Sequence, residues 1–272
     1  MGAKTRGCFQ TLALAICCAT GLAQIEPPHH AGQSVTGAFE GWFKNSDGTF
    51  SILLGYFNRN YQEEIDIPIG PNNRIEPGEP DRGQPTHFLS RRQWGVFRVI
   101  VPADFGVRKL TWTLNGHGQS TTIPMSLDPR WEISPFFDVG MGNTPPVLRF
   151  VDEGTVQGPL ALGTSLSAGF PQPVGLKVRA IDDAKTLPGS RPPPTPPIVL
   201  TWSKYRGPGK VTFSTAKPPI DAAGLSIAWA TFSEPGEYTL LLVANDWSGD
   251  GGRGFQCCWT TAHVTIQSRN SK

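Results

Sequence analysis

"EPGEYTLLLVANDWSG", Glu234–Gly249, decides how the rest of the chain reads. Pro235-Gly236 turns the backbone, and Tyr238, Leu240, Leu242 and Ala244 then share one side of an extended segment, because strand side chains alternate with period two. Fully burying each aliphatic side chain contributes about 1.5–3 kcal/mol. A tyrosine beside such a corner buries its ring and bonds nearby backbone through its hydroxyl. Leu241 and Val243 make the opposite side apolar too, where the outer face of a sandwich is expected to be polar. The stretch therefore predicts a strand covered on both faces, inward by its own sandwich and outward by a second domain.

The same alternation recurs outward from this strand. Downstream lies Trp259–Ile266. Upstream lie Ile227–Phe232, Lys210–Phe213, Ile198–Ser203, Gly175–Ile181 and Val147–Val151. Seven short strands over about 120 residues suit an antiparallel sandwich. Before them, Ala38–Phe43 and Thr49–Phe57 flank the turn "NSDG", and Glu64–Ile69 and Trp94–Val101 alternate in the same way. Lys109–Leu114 and Gln119–Pro124 flank "NGHG", a hairpin signal because Asn-Gly readily adopts positive φ. Gly70–Gln84 reads as a long loop. The 31 Gly and 26 Pro disfavour long helices, and no segment sustains a helical period. The expected fold is all-β: two antiparallel, immunoglobulin-like β-sandwich domains over residues 35–135 and 147–267. Residues 136–146 form the linker, because Ser134–Pro146 concentrates prolines and turn-formers.

"FSEPGEYTLLLVANDWSG", together with "VGLKVRAIDD" (Val174–Asp183) and "WTTAHVTI", resembles PKD-type immunoglobulin-like domains over residues ~145–267. The resemblance implies a sandwich and a binding or spacing role. Residues 35–135, with "GYFNRN", "IPIGPNNRIEPG" and "RRQWGVFRVIVP", are similar to the other half of an uncharacterised family of secreted bacterial proteins, which brings no activity with it.

Met1–Gly7 carries Lys4 and Arg6, Cys8–Thr20 is mostly apolar, and Gly21-Leu22-Ala23 offers small residues to a peptidase. This is a secretory signal over residues 1–23, followed by a flexible leader over 24–34. A secreted or periplasmic location follows. Cleavage leaves 22 basic against 22 acidic residues, which argues against general nucleic-acid binding. No later apolar run is long enough to span a membrane. Of the five cysteines, Cys257 and Cys258 remain after cleavage. They form either one buried and one partner-facing thiol or a disulfide between neighbours.

Topology places two loops, Asp182–Pro197 and Asn245–Cys257, at one end of the second sandwich. They carry the candidate binding residues Asp182, Asp183, Lys185, Asp246, Trp247, Asp250 and Arg253. The oxygens of Asp182, Asp183, Asp246 and Asp250 are of the type that holds calcium, although no EF-hand spacing is present. Trp247 is either an exposed stacking platform or a lid on the core. Arg91-Arg92 beside Trp94 forms either a basic aromatic patch or the solvated start of a strand. The chain has no G-x-S-x-G, H-E-x-x-H or P-loop, and no cofactor is implied. The expected function is an exported, non-catalytic binding or structural module whose partner is a protein or a glycan. The alternative is a secreted hydrolase or carbohydrate-active enzyme with a site in the first domain near Gly70–Gln84.

Overall fold

The computed structural model describes residues 29–140, 142–150, 154–186, 188–189, 192–247 and 257–270. The expected signal peptide lies outside them, as do Asp250 and Arg253. Among the described residues no helix is long and apolar enough to cross a membrane, and the structure is all-β.

Eight strands build the first sandwich: β1 (Val35–Lys44), β2 (Phe50–Asn58), β3 (Ile65–Asp66), β4 (Asn73–Glu76), β5 (His87–Phe88), β6 (Arg91–Val101), β7 (Lys109–Gly116) and β8 (Gln119–Ser126). One sheet runs β1-β2-β6, a second runs β4-β7-β8, and β3 and β5 add a short ladder. Their inward residues meet in one core. Ile52, Leu54, Phe97 and Val99 come from one sheet, and Ile75, Leu110, Trp112 and Met125 from the other. Phe97 meets Trp112 edge-on at 5.2 Å between ring centroids.

Two expectations change here. Of Glu64–Ile69 only Ile65–Asp66 pairs as strand, since Pro68 has no N–H to give the ladder. The expected loop Gly70–Gln84 contains β4, paired with β7. Asn73 fixes that segment from inside. Its fully buried side chain donates to the carbonyls of Ile67 (2.9 Å) and Pro85 (2.7 Å) and accepts from Trp112 Nε1 (3.0 Å).

The second sandwich comprises β9 (Val147–Phe150), β10 (Thr155–Gln157), β11 (Leu162–Phe170), β12 (Val174–Ile181), β13 (Ile198–Arg206), β14 (Val211–Phe213), β15 (Leu225–Phe232), β16 (Gly236–Asp246) and β17 (Trp259–Asn270). Its sheets run β10-β9-β12-β15-β14 and β11-β17-β16-β13. All pairs are antiparallel except β11 with β17, which run parallel. The core between the sheets contains Leu176, Val178, Trp202, Ala228, Tyr238, Leu240, Leu242 and Val264. Tyr238 is the expected corner: its hydroxyl donates to Glu234 O (2.9 Å) and accepts from Gly209 N (3.2 Å).

The outer side of β16 is covered by the first sandwich. Leu241 is 4% exposed and belongs, with Tyr205, to the first sandwich's core. Val243 packs on that core and on a smaller cluster of Phe43, Leu53, Ile133 and Trp259 that bridges the two sandwiches. Polar clamps surround the apolar seam. Arg206 pairs with Asp81 at 2.8 Å and donates to Gln84 O. Thr86 N donates to Tyr205 O at 3.2 Å, and Arg98 Nε donates to Leu160 O at 2.9 Å. The long loop of the first sandwich is thus held against β13. Leu241 and Val243 are apolar because they form a domain interface.

Candidate functional site

The loop end of the second sandwich gathers Asp182, Asp183, Lys185 and Asp246, but as a closed structure. The segment between the sandwiches folds into it. Asp246 is 3% exposed and accepts from Asn143 Nδ2 at 2.5 Å. Thr144 Oγ1 donates to Asp183 at 2.9 Å, and Lys185 Nζ donates to Gly142 O at 2.8 Å. Asp183, Lys185 and Asp246 thus bond to the connecting segment, while Asp182 accepts from Ala184 N at 2.8 Å and keeps its other carboxylate oxygen buried without a partner.

Among the described residues no group of three or more His, Cys, Asp or Glu side chains is arranged to hold a metal ion. Asp250, and Arg253 of the binding set, lie outside the described residues. Trp247 is half-buried, and its indole nitrogen is enclosed without a partner.

Cys257 and Cys258 are joined in a disulfide. Both are buried, at 6% and 1% exposure, and lie against Asn143 O. The arrangement with one partner-facing thiol is therefore not the one adopted.

Burial, with the charges of Asp246 and Asp183 nearby, pushes the Asp182 carboxyl up from 3.8 to about 6. A folded-state value above the unfolded one favours the fold below the unfolded value, and that contribution is lost as pH rises through the folded value. We expect wild-type stability to gain on the Asp182→Asn variant as pH falls from 7.5 to 4. At pH 7.5 the variant should melt at the higher temperature. Parallel pH-dependent denaturation curves for the two proteins would contradict this.

The seam between the sandwiches leaves a cleft of about 260 Å³, lined by Arg92, Trp94, Lys217, Asn245 and Trp259 among others. Its wall is built around Glu40. This carboxylate accepts from Arg92 Nη2 at 2.6 Å and from Gly95 N at 2.7 Å, with its side chain only 8% exposed. Burial raises its pKa, and Arg92 partly offsets the rise. Arg92 also lies 3.7 Å from the centroid of the Trp94 ring. Arg92 and Trp94 are therefore a stacked ion-pair assembly, while Arg91 lies over the Phe57 and Tyr61 rings. Gly95, at φ +52°, lets Trp259 approach; a Cβ there would sit 2.3 Å from the indole. Two buried polar atoms of the lining residues have no partner: Trp259 Nε1, a donor, and Asn245 Oδ1, an acceptor.

Sequence reasoning missed one further cluster. His87 sits between Asp66 (2.9 Å from Nδ1) and Glu64 (3.0 Å from Nε2), and Lys204 of the second sandwich lies 3.4 Å from Asp66. The hydrogen bond with His87 draws the Glu64 carboxyl down. Glu64 and Asp66 on one strand side were the available signal. His263, a half-buried histidine of the seam, has its pKa lowered by desolvation to about 4, and its ring lies tilted against Tyr205 with centroids 4.2 Å apart.

No protein-family model and no curated protein matches the chain. Solved structures with similar strand arrangements include titin domains Z1Z2 in complex with telethonin (11% identity, 88% of this chain, 98% of that chain, TM-score 0.25). Domains 4 and 5 of the S-layer protein SbsC are 12% identical over 86% of this chain and 98% of that one, with TM-score 0.23. The D0–D1 domains of intimin are 10% identical over 86% and 97%, with TM-score 0.24. Scores this low carry no inference about ligand or role.

Proposed function

We propose that this chain is an exported, non-catalytic binding module. Two sandwiches are locked as one body, and a protein or glycan group is held in the seam cleft. The observation that supports this reading most is the pairing of an unpartnered donor, Trp259 Nε1, with an unpartnered acceptor, Asn245 Oδ1, in residues that line one preformed cleft. Buried polar groups are normally hydrogen-bonded, and ligand sites concentrate at domain interfaces around a few placed polar groups. Trp94 and Lys217 add an aromatic surface and a cation at the same cleft. Export is supported by the basic-then-apolar pattern of Met1–Ala23.

The test is a screen of residues 24–272 against a glycan panel and secreted proteins, repeated with Trp94→Ala and Asn245→Leu. The reading expects a retained ligand whose binding both variants weaken at least about tenfold while their melting curves stay cooperative. A ligand bound equally well by both variants would place the contact elsewhere. Retention of nothing by the wild type would leave a spacer role without a ligand.

A further inference from the structure

The outward side of the five-stranded sheet in the second sandwich is apolar and cationic at once. Along β12, Lys177, Arg179 and Ile181 point outward and are exposed; along β15, Ile227 and Trp229 do the same. Trp229 is 48% exposed, Ile227 42% and Ile181 46%. Register places Gly175 opposite Trp229 and Lys177 opposite Ile227. It also places Arg179 opposite Arg149 of β9, which is exposed as well. The five strands of this sheet contain no Asp or Glu.

Two features of this face are not required by the fold. Like charges directly opposite one another destabilise a sheet, yet Arg149 and Arg179 are paired. Arg179 spends one arm on Ala223 O, and neither Arg149 nor Lys177 has an acidic partner among the described residues. Trp229 has room to lie over β12 because its neighbour is glycine: a Cβ at Gly175 would meet the six-membered ring at 3.3 Å. The indole so held leaves about half its surface to solvent.

The geometry points to this face as a docking surface for an anionic polysaccharide. The C–H faces of the sugar rings stack on Trp229 and the adjacent Ile227, and on Ile181 at the far end of β12, and the carboxylates or sulfates meet Lys177, Arg179 and Arg149. From Gly175 to Ile181 the platform runs about 20 Å at the usual rise per residue, room for several sugar units of an extended chain. A second copy of this chain is a poor occupant, since a face-to-face dimer would bring both sets of cations together. The surface is separate from the seam cleft, and its test is independent of that site.

Residues 24–272 would be titrated with a polyuronate, with neutral dextran of matched length, with phosphatidylglycerol vesicles and with single-stranded DNA. The expected result is binding of the polyuronate that weakens as salt screens the charges, with dextran unbound. Trp229→Ala should weaken binding about tenfold. Lys177→Gln with Arg149→Gln should abolish it, and Val199→Ala, a change at an exposed site on the other sheet, should leave it unchanged. All variants are to be checked for a native melting curve. Polyuronate binding unchanged by the Trp229 and Lys177/Arg149 variants overturns the proposal, as does absence of polyuronate binding. Tighter binding of the vesicles or the DNA overturns it too.

Discussion

Leu241→Asp should split one thermal transition into two. Leu241 belongs to the second sandwich in sequence but is 4% exposed within the core of the first. Truncating a buried leucine typically costs about 2–5 kcal/mol, and placing a carboxylate there adds an unpaired buried charge. We expect a loss of at least about 3 kcal/mol, concentrated in the coupling between the sandwiches. The inner residues of β16, from Tyr238 to Ala244, remain packed in their own core, so the second sandwich should still fold. Calorimetry is the measurement. A single transition at the wild-type temperature would show that the seam contributes nothing.

Arg92→Ala should be nearly as damaging, and its effect should depend on pH. Arg92 is the cation of a buried pair with Glu40, and removing one partner of such a pair typically costs about 3–5 kcal/mol. Burial already holds the Glu40 carboxyl above its ordinary 4.5, and loss of the guanidinium pushes it further up. A raised folded-state value means stability is lost as pH rises through it and is present below the unfolded value. The deficit should therefore be largest at neutral pH and shrink toward pH 4.5. Glu40→Gln added to Arg92→Ala should recover part of it at neutral pH. A deficit that neither acid nor the second substitution relieves would mean that Arg92 acts through its bonds to the Tyr56 and Gln93 carbonyls and its packing on Trp94, not through Glu40.

Local pattern carried much of the fold. Pro235-Gly236 followed by Tyr238 fixes the corner whose hydroxyl bonds Glu234 and Gly209. The apolar second face at Leu241 and Val243 announced the interface, because solvent-facing strand positions rarely repeat large aliphatics without a cover. What stayed hidden depends on distant partners. β11 is written in small residues, Gly163, Ser165, Ser167 and Gly169, and forms because β17 offers a parallel edge. β4 lies in a proline- and glycine-rich stretch and is held by Asn73 from within.

The candidate site was legible only as a gathering of residues. Asp182, Asp183, Lys185 and Asp246 do converge, as loop topology implies. That Asn143 would bond Asp246, and Thr144 Asp183, depends on where the connecting segment lies, which composition does not encode. Likewise Glu64 and Asp66 share a strand side, yet His87 reaches them only through pairing of β3 with β5. The seam cleft needs both sandwiches in place before Arg92, Trp94, Asn245 and Trp259 line one space.

Backbone ¹⁵N relaxation on residues 24–272 tests most directly whether the two sandwiches form a single rigid body. One rotational correlation time and one diffusion tensor shared by amides of β2 and β6 and by those of β12 and β15 is the predicted result. Two shorter times, each appropriate to a sandwich of its own size, would contradict it.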